Sequence, residues 1–83
     1  GPTRDVALAA FSSKLASSDP SAAVKWAESI TDSASRQREL EMVAERWIAI
    51  SSDDARAWIQ AAALPEESKS RLLAIAPPPR NKD

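Results

Sequence analysis

The sequence contains no cysteine, no histidine and no tyrosine. Without cysteine the chain can form no disulfide, no thiolate metal site and no cysteine nucleophile, and its redox compartment stays undecided. Without histidine it lacks the commonest general base, and any metal site would have to consist of oxygen ligands alone. We therefore expect no cofactor, and the usual forms of acid–base and nucleophilic catalysis are disfavoured.

Glycine is nearly absent as well, because the only glycine of the 83 residues is the first residue. Sheet proteins need turn glycines and runs of β-branched residues, and this chain has few of either. Alanine, glutamate, arginine and leucine dominate instead, and seventeen alanines leave little bulk for a core. We predict an all-α fold of modest stability.

Long apolar runs and an excess of positive charge are also missing. No uncharged apolar run approaches the ~18 residues of a membrane span, so we expect no membrane insertion. The formal net charge is −1, and the arginines between positions 36 and 46 alternate with Glu39, Glu41 and Glu45. Because these charges cancel, we expect a solvated helix face and no nucleic-acid partner.

Twelve serines and two adjacent carboxylate pairs raise the question of catalysis or of a divalent cation. The serines have no histidine to activate them, and neither a G-x-S-x-G elbow nor an S-x-x-K motif is present. The pairs Asp53-Asp54 and Glu66-Glu67 follow predicted turns, where helix N-termini favour negative charge. We therefore predict no catalytic residue and no metal site, and we interpret both pairs as helix capping.

Apolar residues recur at helical spacing in five segments that serine, aspartate and proline separate. The turns are predicted near residues 17–19, 31–34, 51–53 and 64–65. The predicted apolar stripes are Leu8, Phe11 and Leu15; Ala23, Trp26, Ala27 and Ile30; Leu40, Val43, Trp47 and Ile50; Ala55, Trp58, Ile59 and Ala62; and Leu72, Leu73 and Ala76.

The second half of the chain repeats the first. A shift of 32 residues places Leu8 on Leu40 and Trp26 on Trp58, and a shift of 33 places Leu40 on Leu73. A repeat of helix, turn, helix and turn with this period is typical of stacked helical hairpins, each of which needs its neighbour to bury its apolar face. We predict two and a half stacked antiparallel helical hairpins, a short α-solenoid.

The repeated pattern resembles the tandem helical-hairpin, tetratricopeptide-like repeats of bacterial proteins, chiefly planctomycete and verrucomicrobial ones. The tetratricopeptide signature itself, with its glycine between the helices, is absent, so the resemblance implies an architecture and no particular activity. The matching residues are Asp19, Pro20, Ala23, Trp26, Ala27, Ser29, Ile30, Arg36, Leu40, Val43 and Ala44, and in the second copy Ala55, Trp58, Leu64, Pro65, Arg71 and Leu73.

The chain divides into three predicted segments. Residues 1–2, Gly-Pro, are typical of the remnant that protease cleavage leaves after removal of a fusion partner. Residues 3–76 form the predicted helical-repeat domain. Residues 77–83, PPPRNKD, cannot continue a helix and are predicted to be a polar, proline-rich tail or linker.

Four residues are candidates for interaction: Trp26, Trp58, Leu72 and Leu73. The tryptophans either fill the seam between hairpins, which their equivalent positions favour, or anchor a peptide from outside. Leu72 and Leu73 belong to a fifth helix that the prolines end, so we expect an uncovered apolar stripe and weak homodimerisation through it.

We predict a non-enzymatic protein–protein interaction module that holds a protein or peptide partner on its concave face. Two alternatives stay open. One is a structural spacer from a longer repeat array, and the other is a self-associating, homodimerising helical domain.

Overall fold

The computed structural model describes residues 2–76, and these residues form α-helices and turns with no strand. The prediction of an all-α fold with five helices is confirmed. Gly1 and the predicted tail at 77–83 lie outside the described residues. The helices are α1 (Pro2–Leu15), α2 (Pro20–Glu28), α3 (Ser33–Ile50), α4 (Ser52–Ala61) and α5 (Glu66–Leu73).

Helices α2 and α3 begin after aspartates whose side chains cap the first turn. Asp19 accepts a hydrogen bond from the backbone N–H of Ala22 at 3.2 Å, and Pro20 follows as the first residue of α2. Asp32 does the same for α3 by accepting from the N–H of Ser35 at 2.8 Å. Each bond satisfies one of the N–H groups that the first turn of a helix leaves without an intrahelical partner.

Packing between the helices is confined to near neighbours. Helix α1 packs against α2 and α3, α3 also packs against α2, α4 and α5, and α4 packs against α5. Within residues 2–76, neither α1 nor α2 packs against α4 or α5. The result is an elongated body of 49 × 26 × 14 Å with α3 at its centre.

The core contains fourteen buried apolar residues, and five of them are alanines. Small buried side chains let two helix backbones approach closely, so little apolar volume is needed between them. The buried leucines at positions 8, 40 and 72 lie 32 residues apart, as do the first residues of α2 and α4. Leu40 therefore corresponds to Leu72, which is also buried, and not to Leu73, which is only half-buried. The core residues are Leu8, Ala16, Ala23, Val24, Ala27, Ile30, Leu40, Val43, Ala44, Ile48, Ala55, Ile59, Leu64 and Leu72.

Four residues of the predicted stripes lie at the surface, namely Phe11, Trp26, Ile50 and Ala76. Phe11 is 55 % exposed and Ile50 is 52 % exposed, so the prediction that they belong to the core is wrong. On α1 the core-facing position belongs to Ser12, which is rotated one residue from Phe11 and fully buried. A side chain the size of serine fits where the helices approach closely, whereas a phenyl ring does not.

The buried hydroxyl of Ser12 allows this packing to be tested. Its hydroxyl is fully buried, and no protein group in the described residues forms a hydrogen bond with it. A buried hydroxyl without a partner costs about 1–3 kcal/mol, so Ser12→Ala should raise the free energy of unfolding by about 1 kcal/mol in urea denaturation. The control is Ser13→Ala, which removes the surface bond from Ser13 to Glu39 and should not stabilise. Lower stability of Ser12→Ala would contradict this account of the core.

Candidate functional site

The most prominent surface feature is a pair of exposed aromatic rings on the first two helices. Phe11 of α1 and Trp26 of α2 stack with 5.3 Å between ring centroids and 25° between planes. Trp26 is 44 % exposed. The interpretation of Trp26 as buried filling between hairpins is therefore wrong. We call these two residues the aromatic pair.

Trp58, which the predicted repeat places on Trp26, has a different environment. Trp58 on α4 is half-buried and lies 6.1 Å from Trp47 on α3, with the two rings tilted by 34°. Both rings pack against the buried core. Trp58 therefore contributes to packing, and of the two candidate tryptophans Trp26 is the one more available to a partner.

Leu72 and Leu73 do not form the open stripe that the sequence suggested. Leu72 is fully buried and Leu73 is half-buried, because α5 packs against both α3 and α4. The expectation of an uncovered α5 face was wrong because it assumed that only a following helix could cover the stripe. Leu72 is therefore not an exposed contact residue, and weak homodimerisation stays a prediction.

A second surface feature is an open groove of about 820 Å³ between α1 and α3. Val6, which is 70 % exposed, and Ala9 supply its apolar wall from α1. Arg38 and Glu39 bring opposite charges from α3. The α1–α3 groove thus combines apolar and charged groups.

One carboxylate that the sequence analysis did not single out, that of Asp5, lines this groove. Asp5 of α1 accepts hydrogen bonds from the N–H of Thr31 at 2.9 Å, the hydroxyl of Thr31 at 2.7 Å and the N–H of Asp32 at 3.0 Å. The hydrogen bond from the backbone of Thr31, followed by that from its hydroxyl, lowers the pKa of Asp5 to about 2. Asp5 therefore joins α1 to the turn between α2 and α3.

A second cluster joins α3 to α5. Glu41 accepts hydrogen bonds from the Ser68 hydroxyl at 2.7 Å, from Nε2 of Gln37 at 2.9 Å and from Nη2 of Arg71 at 2.7 Å. Burial of Glu41 opposes its ionisation, but the hydrogen bonds from Ser68, Gln37 and Arg71 outweigh it, so the pKa of Glu41 lies below its usual value. We call these four residues the Glu41 cluster. From the sequence alone, only the spacing of four residues between Gln37 and Glu41 could have predicted part of this cluster.

The arginines of α3 also have identifiable partners. Arg36 donates from Nη1 to the carbonyl of Ile30 at 2.8 Å, at the end of α2. Arg46 donates from Nη1 to the Ser17 hydroxyl at 2.7 Å, in the turn before α2. These side chains connect helices and do not form one continuous basic strip.

The carboxylates predicted to cap helices lie in first turns, but the N-cap residues of α4 and α5 form no side-chain capping hydrogen bond. Asp53 and Asp54 belong to the first turn of α4, and Glu66 and Glu67 belong to the first turn of α5. In the part of the chain that the structure describes, no three acidic side chains come together in a metal-binding group. None of the helices in residues 2–76 combines the length and apolar composition needed to cross a bilayer.

Comparison with known proteins yields no relative: no protein-family model, no curated protein and no solved structure matches the chain. The resemblance to tandem helical-hairpin repeats therefore stays a prediction from sequence.

The Asp5 contacts predict a specific dependence of stability on pH. Because folding lowers the pKa of Asp5 from 3.8 to about 2, its ionised form stabilises the fold at every pH above 3.8. That contribution is lost as the pH falls through about 2. Asp5→Asn should therefore be less stable than the parent chain at neutral pH, and the difference should shrink between pH 4 and pH 2.

Urea denaturation of both proteins across this range measures the difference directly. Asp53→Asn is the matched control, because Asp53 is exposed in the first turn of α4 and, within residues 2–76, forms no hydrogen bond or ion pair with another helix. A difference between Asp5→Asn and the parent that does not change with pH would show that Asp5 does not act through its charge.

Proposed function

We propose that this chain is a non-enzymatic interaction module that binds an apolar segment of a partner protein through the aromatic pair. The observation that carries the proposal is the exposure of two stacked rings, Phe11 at 55 % and Trp26 at 44 %. Binding energy at interfaces is concentrated in a few aromatic or arginine anchors, and tryptophan is foremost among them.

Packing gives no other reason for placing these two rings together at the surface. The buried residues of α2 are Ala23, Val24 and Ala27, whereas the Trp26 ring lies outside the core. Single exposed apolar side chains are ordinary on protein surfaces, whereas adjacent exposed ones more often mark a contact site. Ile50, at 52 % exposure, is an example of the ordinary case.

The stacked geometry favours the same function. Each ring restricts the other, so the anchor loses less side-chain freedom when a partner covers it than an isolated tryptophan would. Rigid aromatic side chains with two torsion angles are efficient contact residues for this reason. The partner segment should therefore present an aliphatic or aromatic side chain that extends the stack.

The predicted repeat architecture supports an interaction role in a second way. Stacked helical hairpins commonly use the face lined by the first helix of each hairpin, and here that face carries the α1–α3 groove. The apolar wall at Val6 and the charges of Arg38 and Glu39 are the features expected of a peptide-binding face. A structural spacer, the main alternative, requires neither this lining nor an exposed aromatic pair.

A peptide library selected against the purified protein tests the proposal. Enriched peptides should share an apolar position. Trp26→Ser should weaken their binding by roughly tenfold or more, because truncation of an anchor residue costs at least about 1.4 kcal/mol of binding free energy. Ile50→Ser is the matched control, because it removes an equally exposed but isolated side chain and should leave binding unchanged.

Circular dichroism of each variant establishes that the helices persist. Val6→Ser separates the two surfaces, since it alters the α1–α3 groove without touching the aromatic pair. Loss of binding in Val6→Ser together with full binding in Trp26→Ser would move the site to the groove. No enriched peptide at all would favour the spacer.

A further inference from the structure

The first ring of the aromatic pair has a positive charge beside it. Lys14 lies three residues after Phe11 on α1, so the two side chains are neighbours on one face of the helix. Lys14 is exposed, and within residues 2–76 it forms no hydrogen bond or ion pair. Its ammonium group is therefore available to a partner that covers the phenyl ring.

The second ring has a positive charge on its solvent side. On α2 the residue after Trp26, Ala27, is buried, and the residue before it, Lys25, is exposed. Successive residues of a helix are turned by about 100° from one another. The Trp26 ring therefore lies at the border of the core with Lys25 on the open side of that border, where a partner covering the ring would meet it.

Arg4 places a third positive charge at the other end of the pair. Its Nη1 donates to the carbonyl of Ser29 at 3.2 Å, and Ser29 lies one turn after Trp26. A guanidinium has five N–H donors, so the exposed side chain of Arg4 still offers donors to a carboxylate. Arg4 and Lys14 lie about 15 Å apart along α1, with Phe11 between them.

The acidic residues of the same two helices do not neutralise these charges. Asp5 bonds to Thr31 in the turn before α3, and Asp19 accepts from the N–H of Ala22 as the cap of α2. Glu28 lies two residues after Trp26, about 200° around the helix from it. The surface that a partner of the aromatic pair would cover is therefore apolar at its centre and positively charged around it.

We propose that the segment bound by the aromatic pair is an acidic peptide, with an apolar side chain over the rings and carboxylates on both sides of it. This inference rests on the proposed function and adds the chemical class of the partner. The separation of Arg4 and Lys14 corresponds to about four or five residues of extended chain at ~3.3 Å each. The carboxylates should therefore lie about that far apart, with the apolar residue between them.

Charge also argues against the other occupants of such a surface. A second copy of this chain, packed through the same patch, would bring like charges together. A nucleic acid or an anionic bilayer is held by many phosphate contacts, because its attraction grows with each cation that takes part, and this surface supplies only three.

Selection from a library of peptides with one fixed phenylalanine and random flanking positions tests the partner class. Enriched sequences should carry aspartate or glutamate on both sides of the phenylalanine. An enriched peptide should also bind roughly tenfold more tightly than its amide counterpart, in which asparagine and glutamine replace the acids. This advantage should shrink when salt rises from about 0.1 M to about 1 M, because the screening length falls from ~10 Å to ~3 Å.

The variant carrying both Lys14→Gln and Lys25→Gln should lose most of the advantage of the acidic peptide and bind the amide peptide as the parent does. Neither lysine forms a hydrogen bond or ion pair within residues 2–76, so circular dichroism should show the same helix content. Arg38→Gln is the matched control, because it removes an exposed positive charge from α3 and should leave the advantage intact.

The possible failures are distinguishable. Enrichment without acidic residues, or equal binding of the acidic and amide peptides with both weakened by Trp26→Ser, would overturn the acidic partner and keep the aromatic pair as the site. Acidic peptides that bind Trp26→Ser as tightly as the parent would overturn the proposed function and this inference together. Tighter binding to phosphatidylserine vesicles or to oligothymidylate than to the acidic peptide, lost in the lysine variant, would assign the surface to a membrane or a nucleic acid instead.

Discussion

Close approach of helix backbones through buried alanines is the constraint on which the rest of this structure depends. Ala16, Ala23, Ala27, Ala44 and Ala55 are all fully buried. Interfaces of this kind bury less apolar area per residue than leucine-rich ones, and the hydrophobic contribution to stability is correspondingly smaller. The larger rings are displaced to the margins of the helix interfaces, where Phe11 stacks on Trp26 and Trp47 lies beside Trp58.

Polar contacts between distant segments compensate for the thin core. Asp5 holds α1 to the turn that starts α3, and Glu41 holds α3 to α5. In both cases one carboxylate accepts three hydrogen bonds, and in both cases folding lowers the pKa of that carboxylate. Charge-assisted hydrogen bonds are stronger than neutral ones, so a few of them can fix the relative position of helices that share little apolar surface.

The sequence predicts the helices of this protein well and its surfaces poorly. Asp19 and Asp32 begin helices as capping chemistry requires, because a cap depends only on residues within one turn. Core membership instead depends on the rotation of one helix against another, which periodicity specifies only to within about one residue. Ser12 and Phe11 are adjacent, and the apolar pattern therefore placed Phe11 in the core where the structure has Ser12.

The same reasoning explains why the candidate sites were only partly predictable. Trp26 and Trp58 occupy equivalent positions in the sequence, yet their exposure differs because their ring neighbours come from different places on the preceding helix, Phe11 and Trp47. The burial of Leu72 depends on contacts of α5 with both α3 and α4, and the polar part of that docking comes from residues about thirty positions away. No local sequence pattern predicts such a contact, because the residues that form it look like ordinary surface residues within their own helices.

The restriction of packing to neighbouring helices has a consequence for how the chain reaches this structure. Every interhelical contact joins elements that are adjacent or next but one in the sequence, so few long loops must close before contacts begin to stabilise the fold. Topologies dominated by such local contacts fold in microseconds to milliseconds. Helix α3 contacts each of the other four helices, so contacts that form at either end of the chain involve it.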